Sequence, residues 1–153
     1  MSVEKGDFEK AYDYFKQATG LEQDDSKKAD YYYGLGVVAG KLNKLSEART
    51  YALEAAKLKD GWGDPYILIG NLYANSKDVC SGIKLPNSIY WAAADKFIKA
   101  KTVDPSIAEK VNSLINTYSQ YFPNKEQAFF EGVNEGDAFL VECWINETTK
   151  ARF

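Results

Sequence analysis

The residues of this 153-residue chain whose types could do chemistry are few: Cys80 and Cys143, closely spaced glycines from Gly34 to Gly40, and an acidic cluster at Glu22, Asp24 and Asp25. Histidine is absent, which removes the commonest general base and the commonest metal ligand together. Two distant cysteines are too few for a zinc site. They could instead pair, and a bridge closing so long a loop contributes roughly 4 kcal/mol in the chain-entropy account. The alternative is two unrelated reduced thiols, with Cys143 buried and Cys80 exposed. The glycines read GxGxxxG rather than GxGxxG, and they fall inside a helical pattern instead of between a strand and a helix, so helix packing accounts for them better than a dinucleotide does. The acidic cluster stands beside Lys27 and Lys28 and reads as a solvated loop. An enzyme would need a carboxylate, lysine or tyrosine base in a closed pocket, and no spacing suggests one. No catalytic residue, metal or cofactor is expected.

The composition is that of an ordinary globular chain, 45% hydrophobic and 27% charged. A net charge of −3 offers no basic surface to nucleic acid. No apolar run approaches the roughly 20 residues that span a bilayer, so no direct membrane insertion is expected. Eleven tyrosines suit helix-repeat cores and binding surfaces alike, having an apolar body and a polar tip.

The elements that must position these residues are organised around the stretch from Ala29 to Asp60. It predicts two amphipathic helices, 29–42 and 46–58, joined at Asn43-Lys44 with Ser46 as N-cap. Tyr32, Leu35, Gly36 and Ala39 fall in order on the first, and Ala48, Ala52 and Ala55 on the second. About 34 residues on, Tyr66, Ile69, Gly70 and Tyr73 repeat the first order. This pattern resembles the tetratricopeptide repeat. The physical reason is close approach: a helical glycine costs roughly 1 kcal/mol relative to alanine, which tight packing at Gly36 and Gly70 would offset.

The resulting expectation is a mainly α, right-handed helical-repeat array forming one domain over 1–153. Residues 3–21 read as the second helix of a truncated repeat, with Ala11, Phe15 and Ala18 in register. A polar linker spans Glu22 to Lys28, and 29–60 is a full repeat. Residues 63–105 form a repeat started by Asp64 as cap and Pro65 in the first turn, and interrupted by a loop at 76–86. Residues 106–131 are capping helices, the first carrying Ile107, Val111, Leu114, Ile115 and Tyr118 on one face. The tail, 137–153, predicts a β-hairpin packed at the end of the array. Its first strand runs from Ala138 to Ile145, its turn is Asn146-Glu147, and its second strand runs from Thr148 to Phe153.

The run from Tyr90 to Phe153 resembles, more closely, the terminal segment of tetratricopeptide repeat proteins common in Bacteroides-type bacteria. The YWAAADKF helix, the YSQYFP stop, the FF-G-EG step and the CWINETT hairpin carry that likeness. It implies a secretion signal at the front of a longer chain, and hence the bacterial cell envelope or periplasm, or the cytoplasm if no signal was removed. That setting favours the Cys80–Cys143 bridge, and it leaves little meaning in the Asn146-Glu147-Thr148 match to a glycosylation acceptor. The opening MSVEKGDFEK is charged and is no leader; because the chain begins on the lone second helix of a repeat, it reads as the carboxy-terminal part of a longer repeat protein.

In the tetratricopeptide family the first helix of each repeat lines a concave groove. By register that implies Asp30, Tyr33, Val37 and Lys41, then Asp64, Ile67, Asn71 and Asn75. Tyr33 could lie on an extended peptide while Asn71 and Asn75 bond its backbone. The basic clamp of chaperone-binding relatives is missing, since Tyr33 and Ile67 stand where it would want charge. The expected function is a non-enzymatic module binding an unidentified protein or peptide. The alternative is a purely structural cap of an upstream array.

Overall fold

The computed structural model describes residues 5–153. The start of the first helix predicted at Val3 lies outside the described residues. Seven α-helices and one two-stranded antiparallel sheet are present among them: α1 (Lys5–Leu21), α2 (Asp25–Lys41), α3 (Leu45–Leu58), α4 (Asp64–Ala74), α5 (Ile89–Val103), α6 (Ala108–Ser119), α7 (Lys125–Phe130), β1 (Ala138–Val141) and β2 (Glu147–Lys150). From α1 to α6 each helix packs on the next, the nearest-neighbour arrangement of a helical-repeat array. The mainly helical architecture is the one the sequence predicts.

Glycine and alanine set the helix spacing. A Cβ on Gly36 would sit 3.2 Å from the Ala48 carbonyl oxygen, and one on Gly70 would meet the Phe97 ring at 2.5 Å. Ala48, Ala52 and Ala55 are fully buried. One core cluster joins α1 to α3 through Tyr12, Leu35, Val38 and Ala48. A larger one gathers Tyr73, Trp91, Phe97 and Val111 with the tail residues Val141 and Ile145.

Helix starts differ from the expectation in three places. α2 begins at Asp25, because Asp24 caps it by accepting from the Lys27 amide at 2.9 Å; the polar linker shrinks to 22–24. At α3 the N-cap position is Lys44, without a side-chain bond, and Ser46 lies inside the first turn. At α4 the cap is Gly63 rather than Asp64. A Cβ there would stand 2.6 Å from the Ala100 carbonyl oxygen, while the Gly63 amide donates to Asp104 Oδ2 at 3.1 Å.

The 75–88 interruption between α4 and α5 is a packed loop ending in a 3-10 turn at Pro86–Ser88. Cys80 and Leu85 are buried within it, so the exposed-Cys80 alternative does not describe this fold. After α5 the chain turns at Asp104-Pro105 into α6. Val111 of α6 is fully buried, and Tyr118 stacks on Phe97 with ring centroids 5.8 Å apart. Glu109, Lys110, Asn112 and Asn116 face solvent, so the outer face of α6 is polar. A capping box at Asn124 and Gln127 starts α7.

The hairpin is shorter than predicted. β1 stops at Val141, and β2 starts at Glu147, which pairs with Val141. Cys143 (φ 68) and Asn146 (φ 45) adopt left-handed backbone, so the chain reverses over 142–146 instead of continuing extended to Ile145. Its position differs too. β2 packs along α5 and the turn reaches back to α3, where Arg49 donates to the carbonyls of Trp144 and Ile145. The hairpin flanks the array rather than closing its end.

Candidate functional site

Among the inner helices, α2 supplies Val37 and Lys41, α4 supplies Asn71 and its C-cap Asn75, and α6 supplies Leu114 and Tyr118; together they line a cleft of about 600 Å³. Leu68 and Leu72 of α4, with Val79 of the interruption, add apolar surface. The local reason is helical period. Positions four apart on α2 and on α4 share a face, and Leu68 and Leu72 of α4 lie against Gly36 and Gly40 of α2, which keeps the two helices side by side. The cleft therefore combines apolar anchoring surface with three side-chain amides, of Asn43, Asn71 and Asn75, each able to donate and accept, and one ammonium. That set suits the backbone and one apolar side chain of an extended peptide.

The structure does not bring the other four groove residues into this cleft. Asp30 accepts from Lys59 Nζ, and that ammonium lies 4.1 Å from the centroid of the Trp62 ring. Tyr33 packs on Trp62 at 5.1 Å, and Asp64 accepts from Trp62 Nε1 at 3.2 Å. Burial, and secondarily the Asp64 charge, pushes the Tyr33 phenol above its ordinary value. These residues form a self-paired cluster at the opposite ends of α2 and α4. Ile67 is 6% exposed and belongs to the larger core with Ile107, Val111 and Leu114. Its placement in the groove is corrected: a third inner helix follows α4, and Ile67 is core.

Leu114, Tyr118 and Val79 are cleft residues that sequence reasoning missed. A signal exists for α6 as a third inner helix, though not for its cleft residues. The step from Ala55 to Tyr66 recurs from Ala100 to Val111, so Val111, Leu114 and Tyr118 repeat the packing register of Tyr32, Leu35 and Ala39, not the groove register of Tyr33, Val37 and Lys41. Val79 had no such signal, because the interruption obeys no period. A second cleft of about 550 Å³, lined by Lys125, Phe129, Val133 and Phe153, lies beside α7; Phe129 and Phe130 are among the most exposed apolar side chains of the described residues.

The ionisable groups act as structural ties. Burial first, and then the hydrogen bond with Tyr12, pushes Tyr51 up to about 12. Burial likewise raises Tyr73 despite the Arg49 guanidinium beside it. The Ser106 hydroxyl, and then the Gly63 amide, hold Asp104 below the usual carboxylate range, which joins the start of α4 to the end of α5. Among the described residues no group of three histidine, cysteine, aspartate or glutamate side chains could hold a metal ion, and no helix is long and apolar enough to cross a membrane. Cys80 and Cys143 are joined by a disulfide, with Cα atoms 5.6 Å apart.

Fold and cleft together define a helical-repeat protein. The model of the tetratricopeptide repeat matches residues 2–25 and 29–60, and so supports a tetratricopeptide repeat protein; the second match has the bounds that the residue pattern sets for the full repeat. Such repeats generally mediate protein–protein interaction and form a non-enzymatic fold. No curated protein and no solved structure matches the chain.

Proposed function

We propose that this chain is a non-enzymatic protein-interaction module whose ligand is an extended peptide segment held in the cleft between α2, α4 and α6. The observation that carries this reading is the convergence of Asn71, Asn75 and Lys41 over apolar surface from Leu68, Leu72 and Leu114. The amides would bond the peptide backbone, and the apolar wall would take one side chain. Bacterial extracytoplasmic residence is part of the proposal. The disulfide supports it, since such bonds persist in oxidising compartments, and so does the likeness of Tyr90–Phe153 to the Bacteroides-type segment.

The test is selection from a displayed library of random 12-residue peptides, followed by calorimetric titration of the best binder. Asn71→Ala combined with Asn75→Ala should weaken binding about tenfold or more without moving the melting temperature, because each lost hydrogen bond is worth about 1 kcal/mol. Equal binding by chain and variant would remove the cleft from the function.

The second reading, a structural cap of a longer helical array with no ligand of its own, draws on the polar outer face of α6. It predicts that the selection yields no cleft-dependent binder.

A further inference from the structure

The 75–88 interruption is held firmly at its ends and by one covalent link in its middle. At its start, Ser76 Oγ donates to the Leu72 carbonyl at 2.7 Å and accepts from Trp144 Nε1 at 3.0 Å. At its end, Leu85 is buried and Asn87 Nδ2 donates to the Tyr121 carbonyl at 2.8 Å. Between Lys77 and Ile83 the backbone bonds are local, Cys80 to Ser76 and Ile83 to Cys80. The Cys143 sulfur lies 3.8 Å from the Val79 carbonyl oxygen, a packing contact only, because a disulfide sulfur carries no proton. Ile83 packs against the edge of the larger core and Lys84 pairs loosely with Glu131 at 3.8 Å, so from Lys77 to Gly82 the bond from Cys80 to Cys143 is what fastens the interruption to the rest of the fold. Val79, next to Cys80, is also a wall of the cleft.

The hairpin does not depend on that bond in the same way. Arg49 donates to two of its carbonyls, Trp91 Nε1 donates to the Arg152 carbonyl at 2.7 Å, and Arg152 pairs with Asp95 at 2.8 Å. Its own Phe139, Val141 and Ile145 are buried in the larger core. The two partners of the disulfide are thus unequally anchored.

We propose that the Cys80–Cys143 disulfide is a reducible latch on the cleft: a dithiol reductant opens it and releases the middle of the interruption, Val79 included, while the hairpin stays docked. The proposal rests on reading the cleft as the peptide site. Cys80 is 1% exposed and Cys143 is partly exposed, so the entering thiolate attacks the Cys143 sulfur. The S–S bond breaks, its electron pair leaves with the Cys80 sulfur, and that sulfur takes up a proton. The second thiol of the reductant then attacks its own sulfur in the mixed disulfide, which releases the Cys143 thiol and leaves the reductant as a cyclic disulfide. Two electrons pass to the protein, and one disulfide is exchanged for another.

Amide hydrogen exchange read by mass spectrometry tests this on the intact chain, oxidised, reduced with dithiothreitol, and as the double variant Cys80→Ser/Cys143→Ser. Exchange over 76–85 should rise about tenfold or more on reduction and in the variant, with 138–150 and the helices unchanged, as local release requires. Unchanged exchange over 76–85 would overturn the latch. So would acceleration throughout the hairpin and helices, which would make the bond a global staple. The readout needs no ligand, so local release in a chain that binds no peptide would keep the latch and sink the peptide reading of the cleft.

Discussion

Arg49, in the first turns of α3, donates to the carbonyl oxygen of Ile145 at 2.7 Å across 96 residues of sequence. The same guanidinium reaches the Trp144 carbonyl at 3.3 Å and the Tyr73 hydroxyl at 2.9 Å, and it lies over the Trp144 ring at 5.0 Å. One planar fork therefore ties the hairpin turn to the full repeat and to α4. Arg49→Met keeps the apolar stem and removes the donors, so a loss of about 2–3 kcal/mol is expected from the charged hydrogen bonds. The urea midpoint measures it. Arg49→Lys should recover only part, because an ammonium cannot reproduce the fork.

Gly70→Ala tests the helix spacing. The new methyl would meet the Phe97 ring at 2.5 Å, and that ring is fully buried and stacked on Tyr118. The expected loss is about 1–3 kcal/mol. Gly82→Ala is the control: a Cβ there meets nothing within 4 Å, and the change should stay within about 0.5 kcal/mol.

Alkaline pH should destabilise the fold through its tyrosines. Tyr51 has an ordinary value of 10.0 and is pushed up to about 12, so the folded chain holds this proton more tightly than the unfolded one. Its contribution is complete below pH 10, and it falls as pH rises from there towards 12. Tyr51→Phe should shallow the decline in thermal midpoint over that interval. An identical slope in the variant would assign the decline to other groups, Tyr73 among them.

Legibility in the sequence followed periodicity. The order of Tyr32, Leu35 and Gly36, repeated at Tyr66, Ile69 and Gly70, located the inner helices because close packing leaves small residues at fixed steps. Helix starts were less legible. Ser46 looks like a cap by residue type, yet the turn at Asn43 (φ 62) brings the chain into the helix at Leu45, one residue before Ser46. Asp24 does cap, and it was hidden among neighbouring charges. Ile67 fits a groove register until a third inner helix is recognised beyond it, and the same helix brings Leu114 and Tyr118 to the cleft. The left-handed backbone at Cys143 has no signature in residue type, so the hairpin turn and its reach back to Arg49 were not legible. The residues themselves left the pairing of Cys80 with Cys143 open, and the fold brings the two together through that turn.

The most direct test of the interaction reading is a map of amide chemical-shift changes when a library-selected peptide saturates the isotopically labelled chain. The account predicts the largest changes at Val37, Lys41, Asn71, Asn75 and Leu114. Changes confined to the outer-helix residues Leu53 and Ile98, or to Phe129 and Phe130 beside α7, would contradict it.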